Sequence, residues 1–259
     1  MTYAFLLDIG RCIGCQACVA ACKTGNELPL GTQYIRINEQ TRGTFPDLQG
    51  SFQNQRCYHC ADAACVAVCP TGALYKEDGL TRVNADACSG CEYCVTACPF
   101  SIPRMSNEKR VSKCDGCAAV VKAGGRPWCV KTCPSNALMY GEREEIIAEA
   151  HKRADALRVR YPNANVYGET ESGGLGVIMV LPDTAETLDL PVNPQTKPIT
   201  KVWQKAVQPA SVGFSGLGVF ITGIAAVIAR RNHVQEMERL HKQAAEPTAV
   251  ETVVEEGES

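Results

Sequence analysis

The chain has 259 residues, a formal net charge of −2 and an aromatic content of only 6%, together with 16 cysteines. This length allows one or two domains, and the scarcity of Phe, Trp and Tyr predicts a modest apolar core that bound metal would supplement. Lys and Arg residues are scattered along the sequence rather than clustered, which argues against a nucleic-acid-binding surface.

The cysteines form four runs of four, with none left over. The runs are Cys12, Cys15, Cys18 and Cys22; Cys57, Cys60, Cys65 and Cys69; Cys88, Cys91, Cys94 and Cys98; and Cys114, Cys117, Cys129 and Cys133. The first and third runs have the C-x2-C-x2-C-x3-C spacing of bacterial iron-sulfur proteins, in which three close thiolates bind one cluster and the fourth binds another. The count therefore predicts four 4Fe-4S clusters.

Internal repetition indicates which runs pair. The segments CPTGAL from Cys69 and CPSNAL from Cys133 are near copies that end the second and fourth runs, and the first and third runs are also copies. Between the second and third runs, Asp78-Gly79 predicts the turn of a hairpin over residues 73–83. The second and third runs therefore form one ferredoxin unit, and the first run pairs with the fourth by elimination.

Exchange of the fourth cysteine within each pair gives a complete ligand prediction. Cluster 1 takes Cys12, Cys15, Cys18 and Cys133; cluster 2 takes Cys22, Cys114, Cys117 and Cys129; cluster 3 takes Cys57, Cys60, Cys65 and Cys98; and cluster 4 takes Cys69, Cys88, Cys91 and Cys94.

The predicted fold class is α+β, with two nested bacterial-ferredoxin-like domains followed by a single transmembrane helix. The outer domain comprises residues 1–54 and 100–140, and the inner domain residues 55–99. Local patterns predict a strand at residues 2–9, a strand near residues 34–37, a helix at 142–160, strands at 165–168 and 177–181, and an extended arm to residue 200. Residues 235–259 are acidic and rich in small residues, which predicts a disordered tail.

Residues 210–229 contain no charge, which predicts a membrane-spanning helix inside an anchor of residues 201–234. Arg230 and Arg231 follow this segment, while Lys197, Lys201 and Lys205 precede it, so the charge rule slightly favours a cytoplasmic C-terminus. The first residues show no export signal. We therefore expect a single-pass protein of the cytoplasmic membrane, in contact with the bilayer through residues 210–229.

Two other uses of the cysteines were compared with iron-sulfur binding. Zinc knuckles also use C-x2-C pairs, so a zinc-stabilised binding module is the alternative of a different class. Disulfide pairing leaves the repeated spacing unexplained. His59 lies between Cys57 and Cys60. Because sixteen cysteines already supply four ligands to each of four clusters, we expect His59 to tune a neighbouring cluster by hydrogen bonding rather than to bind iron.

With these motifs, the chain resembles the four-cluster iron-sulfur subunits that accompany molybdopterin oxidoreductases. The C-terminal segments NVYG from Asn165, VIMVL from Val177 and VWQK from Val202 are most similar to the beta subunit of membrane-bound formate dehydrogenase. The resemblance implies a catalytic partner that carries a molybdenum or tungsten pterin, a membrane cytochrome b subunit that reduces quinone, and an iron-sulfur domain on the outer face. It places neither pterin nor haem in this chain.

The predicted function is therefore electron transfer, not catalysis, through four 4Fe-4S clusters between a pterin-containing catalytic subunit and a cytochrome b subunit. Formate dehydrogenase is the expected complex. A membrane-bound nickel-iron hydrogenase or another molybdopterin reductase is the alternative.

Overall fold

A computed structural model of the chain describes residues 3–194 and 208–245. The chain divides into two compact units, residues 1–201 and residues 202–259, and each unit is described separately. The predicted flanking residues Lys197, Lys201, Trp203 and Lys205 lie outside the described residues.

The first unit alternates short strands with short helices. Its strands are β1 (Tyr3–Asp8), β2 (Arg36–Arg42), β3 (Gln49–Gln55), β4 (Leu74–Glu77), β5 (Leu80–Val83), β6 (Arg104–Met105), β7 (Val111–Ser112), β8 (Leu138–Glu142), β9 (Asn165–Tyr167) and β10 (Val177–Leu181). Its helices are α1 (Ala17–Gly25), α2 (Ala64–Ala67), α3 (Tyr93–Ala97), α4 (Ala118–Lys122), α5 (Trp128–Lys131) and α6 (Arg143–Leu157), with a 3-10 turn at Glu171–Gly173.

A four-stranded sheet with strand order β8-β1-β10-β9 joins the two ends of this unit. β1 pairs in parallel with β10, so the N-terminal strand lies beside a strand more than 160 residues later in the chain. Both central strands are apolar and buried, as expected for strands that are covered on two faces. One face packs under α6, and the other faces the cysteine-containing region.

The apolar side chains alternate along β1 because successive side chains in a strand point to opposite faces. Leu6 packs with Ile146 and Ala150 of α6, whereas Phe5 and Leu7 belong to the core that contains Cys18, Cys22 and Cys129. The sheet thus lies between the apolar core under α6 and the core that contains the cysteines.

Most local predictions in this unit are confirmed. The structure contains the strand near the N-terminus, the strands at 165–168 and 177–181, and the helix at 142–160, each within a few residues of the predicted bounds. The predicted hairpin is β4–β5, in which Asp78 and Gly79 both have positive φ, the backbone that a two-residue primed turn requires. The predicted strand near residues 34–37 is longer and displaced, because β2 runs from Arg36 to Arg42 and pairs with β3.

The second unit contains one long helix, α7 (Gln208–Ala245), and the prediction for this part of the chain is corrected accordingly. The helix includes the charge-free residues 210–229 but continues through Arg230 and Arg231, and its last eleven residues lie in the segment predicted as a disordered tail. Residues 246–259 lie outside the described residues.

The predicted transmembrane span is wrong, and so is the single-pass membrane location that depended on it. Within residues 3–194 and 208–245, no helix combines the length and the apolar character that crossing a membrane requires. The prediction rested on the absence of charged residues from 210–229. The Gly and Ser residues in this segment add little apolar surface, and the same helix continues into charged residues. The α+β part of the fold-class prediction is unaffected.

Candidate iron-sulfur centres

The structure places the cysteines in four groups of neighbouring side chains. The first group, site 1, surrounds a small cavity whose lining includes Cys12, Cys15, Cys18 and Cys133. Helix α1 carries Cys18 and packs against α5, which directly precedes Cys133. The side-chain amide of Asn54 donates a hydrogen bond to the Cys18 sulfur at 3.3 Å. Site 1 therefore joins residues that are more than a hundred positions apart.

Site 2 consists of Cys22, Cys114, Cys117 and Cys129, all of which are buried. The Asn26 amide donates to the Cys22 sulfur at 3.4 Å and lies 4.0 Å from that of Cys117. The Arg56 guanidinium donates to the Cys129 sulfur at 3.2 Å and to the Cys114 sulfur at 3.8 Å. Asn26 thus connects a cysteine of the first run with one of the fourth, and Arg56 connects two cysteines of the fourth run.

Site 3 surrounds a second small cavity, whose lining includes Cys57, Cys60, Cys65 and Cys98. The buried Lys113 also lines this cavity, and its ammonium donates to the backbone carbonyls of Thr81 and Cys114. Helices α2 and α3, which carry Cys65 and Cys94, pack against each other. This contact joins site 3 to the fourth site.

Site 4 surrounds a small cavity whose lining includes Cys69, Cys88, Cys91 and Cys94. The Val111 backbone N–H donates to the Cys88 sulfur at 3.4 Å. Cys91 is exposed, as is Cys15 in site 1, whereas no cysteine of sites 2 and 3 is exposed. Sites 1 and 4 therefore reach the surface of this unit, and sites 2 and 3 lie deeper.

The donor set and the cavities fit an iron-sulfur cluster. A single tetrahedral zinc ion draws four ligands to within about 2.3 Å of one point. Here four cysteines together line one cavity in each of sites 1, 3 and 4. In the described residues 3–194 and 208–245, no group of His, Cys, Asp or Glu is arranged to hold a metal ion. Four thiols around an enclosed space match the Cys₄ ligation of a cubane cluster.

Burial controls the protonation of these thiols. It raises the pKa of Cys22 and of Cys114 to about 12, and that of Cys18 and of Cys94 to about 11. The free thiols are therefore protonated at neutral pH, and bound iron would displace their protons as the thiolate ligands form.

The loop before the second cysteine is the same in all four runs. Gly14, Gly90 and Gly116 each precede it with positive φ, and His59 occupies the corresponding position with φ of 50°. Glycine adopts this backbone at no steric cost, whereas a histidine there is strained. The side chain of His59 must therefore provide a compensating interaction.

His59 is fully buried, and one of its two ring nitrogens accepts a hydrogen bond. The Thr81 backbone N–H donates to its Nδ1 at 3.2 Å, so the proton of the neutral ring lies on Nε2. Burial, followed by the nearby Lys113 and Arg56, lowers the pKa of His59 well below its ordinary value. The Nε2 atom has no hydrogen-bond partner in the described part of the chain and lies near Gly116 of site 2. His59 thus belongs to the loop of site 3 and points to that of site 2.

This geometry predicts that His59→Gly retains its iron. Glycine suits the positive φ at this position, and the four cysteines of site 3 remain. We expect the iron content to equal that of the unchanged chain, with a shift in the redox behaviour of one or two clusters. Loss of about four irons per chain would instead identify His59 as a ligand.

Sequence reasoning missed the side chains that contact the cysteine sulfurs. Asn26, Asn54 and Arg56 each donate to sulfur, but nothing in the cysteine spacing indicates them. A signal for His59 was available, because alignment of the four runs shows a histidine where the other three runs have glycine.

The four cysteine groups and the ferredoxin-like hairpins define a protein of the ferredoxin-type iron-sulfur class. Two family models for a 4Fe-4S dicluster domain match the chain, at residues 11–73 and 48–143. The formate dehydrogenase iron-sulfur subunit of Haemophilus influenzae is 33% identical over 246 aligned residues, which cover 83% of this chain and 77% of that protein.

Two further relatives match a shorter part of the chain. The probable anaerobic dimethyl sulfoxide reductase chain YnfG of Escherichia coli is 40% identical over 154 residues, covering 56% of this chain and 75% of that protein. The thiosulfate reductase electron transfer subunit PhsB of Salmonella typhi is 42% identical over 150 residues, covering 55% of this chain and 77% of that protein.

The chain belongs to the family of iron-sulfur electron-transfer subunits of molybdopterin oxidoreductases. Its predicted membership is confirmed, as is its role as an electron-transfer subunit of an oxidoreductase complex rather than a catalytic subunit.

Proposed function

We propose that sites 1 to 4 each hold one 4Fe-4S cluster and that the chain conducts electrons through all four. The observation that carries this proposal is the set of four cysteine groups, each assembled from two separate runs around a shared space. When bound, such clusters supply one-electron redox chemistry. The chain contributes the thiol ligands, the burial and the hydrogen bonds to sulfur.

The sites follow one another in the order 1-2-3-4. After burial, the next cause of the raised pKa of Cys18 in site 1 is Cys129 in site 2. The Cys57 thiol of site 3 likewise contributes to the raised pKa of Cys114 in site 2. Cys65 of site 3 packs in the same apolar cluster as Cys94 of site 4. With Cys15 and Cys91 exposed, electrons would enter and leave at sites 1 and 4.

The nested arrangement of two ferredoxin-like domains is part of this proposal. The contact between α1 and α5 supports an outer domain made of residues 1–54 and 100–140. The contact between α2 and α3 supports an inner domain of residues 55–99.

The proposed complex is a formate dehydrogenase with a molybdenum- or tungsten-pterin catalytic subunit and a cytochrome b subunit as the second partner. The formate dehydrogenase relative supports this choice because its similarity covers 83% of the chain and so includes β9 and β10. Another molybdopterin reductase is the alternative, since the dimethyl sulfoxide and thiosulfate reductase relatives have higher identity, 40% and 42%, over their shorter alignments.

The native complex tests this choice. Purification through a tag on this chain is expected to recover a subunit that contains molybdenum or tungsten. Under anaerobic conditions, formate should then reduce the clusters, and this reduction would be measured as bleaching of the visible absorbance. The chain would be assigned to the alternative complex if formate did not reduce the clusters and if dimethyl sulfoxide or thiosulfate reoxidised clusters that dithionite had reduced.

A further inference from the structure

Arg56 combines complete burial with direct contact to cysteine sulfur. Its side chain is 1% exposed, and it donates to the sulfurs of Cys129 and Cys114 in site 2. The guanidinium carbon also lies 4.1 Å from the centre of the Phe5 ring, which fixes the plane of the group against β1. Arg56 is therefore held in one orientation by contacts from both sides.

No carboxylate neutralises this charge. In the described residues 3–194, Arg82 and Arg153 are also buried, but each forms ion pairs with acidic side chains, whereas Arg56 forms none. An arginine remains protonated at any pH at which proteins are folded. Burial alone would lower the pKa of Arg56, but the adjacent Cys129 and Cys114 raise it above its ordinary value.

The other sites receive only neutral donors. Asn54 donates to sulfur in site 1 and the Val111 backbone N–H in site 4. At site 3, the Lys113 ammonium donates to backbone carbonyls rather than to sulfur. Among the described hydrogen bonds, Arg56 is thus the only charged side chain that donates to a cysteine sulfur, and both sulfurs belong to site 2.

We propose that Arg56 selectively raises the reduction potential of the cluster at site 2. This inference rests on the proposed function. A cluster that gains one electron, with no bond made or broken, becomes more negative, and a fixed cation in contact with its ligands stabilises the reduced form over the oxidised form. Because site 2 lies second in the proposed order, its potential would affect every electron that passes from site 1 to site 3. Arg56 is a positioning residue in this account and not a ligand.

The test compares Arg56→Met with the unchanged full-length chain in an EPR-monitored redox titration. Loss of the charge is expected to reduce the ratio of reduced to oxidised cluster at site 2 about tenfold at a fixed potential, which corresponds to 59 mV for a one-electron couple. The other three midpoints should change much less. Arg158→Met is the matched control, because this guanidinium is half exposed and paired with Asp155.

Arg56→Lys keeps the proposal testable if the Met variant loses its site 2 iron. Lysine retains the charge but cannot donate to two sulfurs through a planar fork, so a smaller fall of the same midpoint is expected. An unchanged site 2 midpoint in Arg56→Met with full iron content would overturn the inference, as would a tenfold or larger effect in Arg56→Lys, which keeps the charge, or an equal shift in Arg158→Met. Absence of iron from the unchanged chain would instead reject the proposed function itself.

Discussion

Cys22→Ser is expected to remove the cluster of site 2 and to leave the cluster of site 1 intact. Cys22 lies one helical turn after Cys18 on α1, yet the two sulfurs face different groups of cysteines. Serine presents a hydroxyl that is a poor substitute for thiolate, so the iron content should fall by about four atoms per chain. EPR spectra before and after reduction would identify which signal disappears.

Cys18→Ser is the matched variant, because it changes the same helix by the same atom. It should remove the site 1 signal and retain that of site 2. If Cys22→Ser removed only the site 1 cluster, the exchange of the fourth cysteine between the first and fourth runs would be refuted. Loss of identical signals in both variants would show that α1 contributes to a single site.

Removal of all iron is expected to unfold most of the cysteine-containing region. Helices α1 to α5 have four to nine residues, shorter than the roughly 12–15 residues at which isolated helices become marginally stable. Structural metal sites contribute about 10–16 kcal/mol in zinc-finger peptides, comparable to the roughly 5–15 kcal/mol of total stability of a domain. The cysteine-containing region would therefore lack enough other stabilisation once its iron is gone.

Hydrogen exchange measured segment by segment would test this expectation. After anaerobic chelation of iron, protection should be lost across residues 57–117. The core that joins β1, β10 and α6 contains few cysteine contacts on its α6 side, so residues 146–154 should lose the least protection. The iron-loaded chain kept without chelator is the control. Retained protection at residues 57–117 in iron-free protein would contradict a structural role for the clusters.

The sequence predicted the local elements well where short-range patterns determine them. β10 is a continuous apolar run, α6 has helical periodicity and the β4–β5 turn carries Asp78-Gly79. β3 was missed because its sequence, QGSFQNQ, is polar and lacks a clear alternation. Its formation depends on pairing with β2, which is tertiary information.

The assignment of the cysteines to four clusters stays a prediction, which rests on the repeats that indicate which runs pair. The surroundings of the cysteines were not predictable. Arg56 lies beside site 2 because the chain folds back against β1 and α5, and no pattern near residue 56 indicates this. The parallel pairing of β1 with β10 likewise brings together segments from opposite ends of the first unit.

The predicted span failed for a different reason. A run without charge is one requirement for crossing a bilayer, but length and apolar character must occur together in the helix that actually forms. Helix α7 continues from residues 210–229 into a charged half, and a count of uncharged residues does not reveal that continuation.

Metal and sulfide analysis of the purified chain tests the central claim most directly. Four cubane clusters predict about sixteen iron and sixteen acid-labile sulfide per chain, with visible absorbance that dithionite bleaches. Zinc without iron, in a colourless chain that dithionite does not change, would contradict the account and identify a zinc-stabilised binding module.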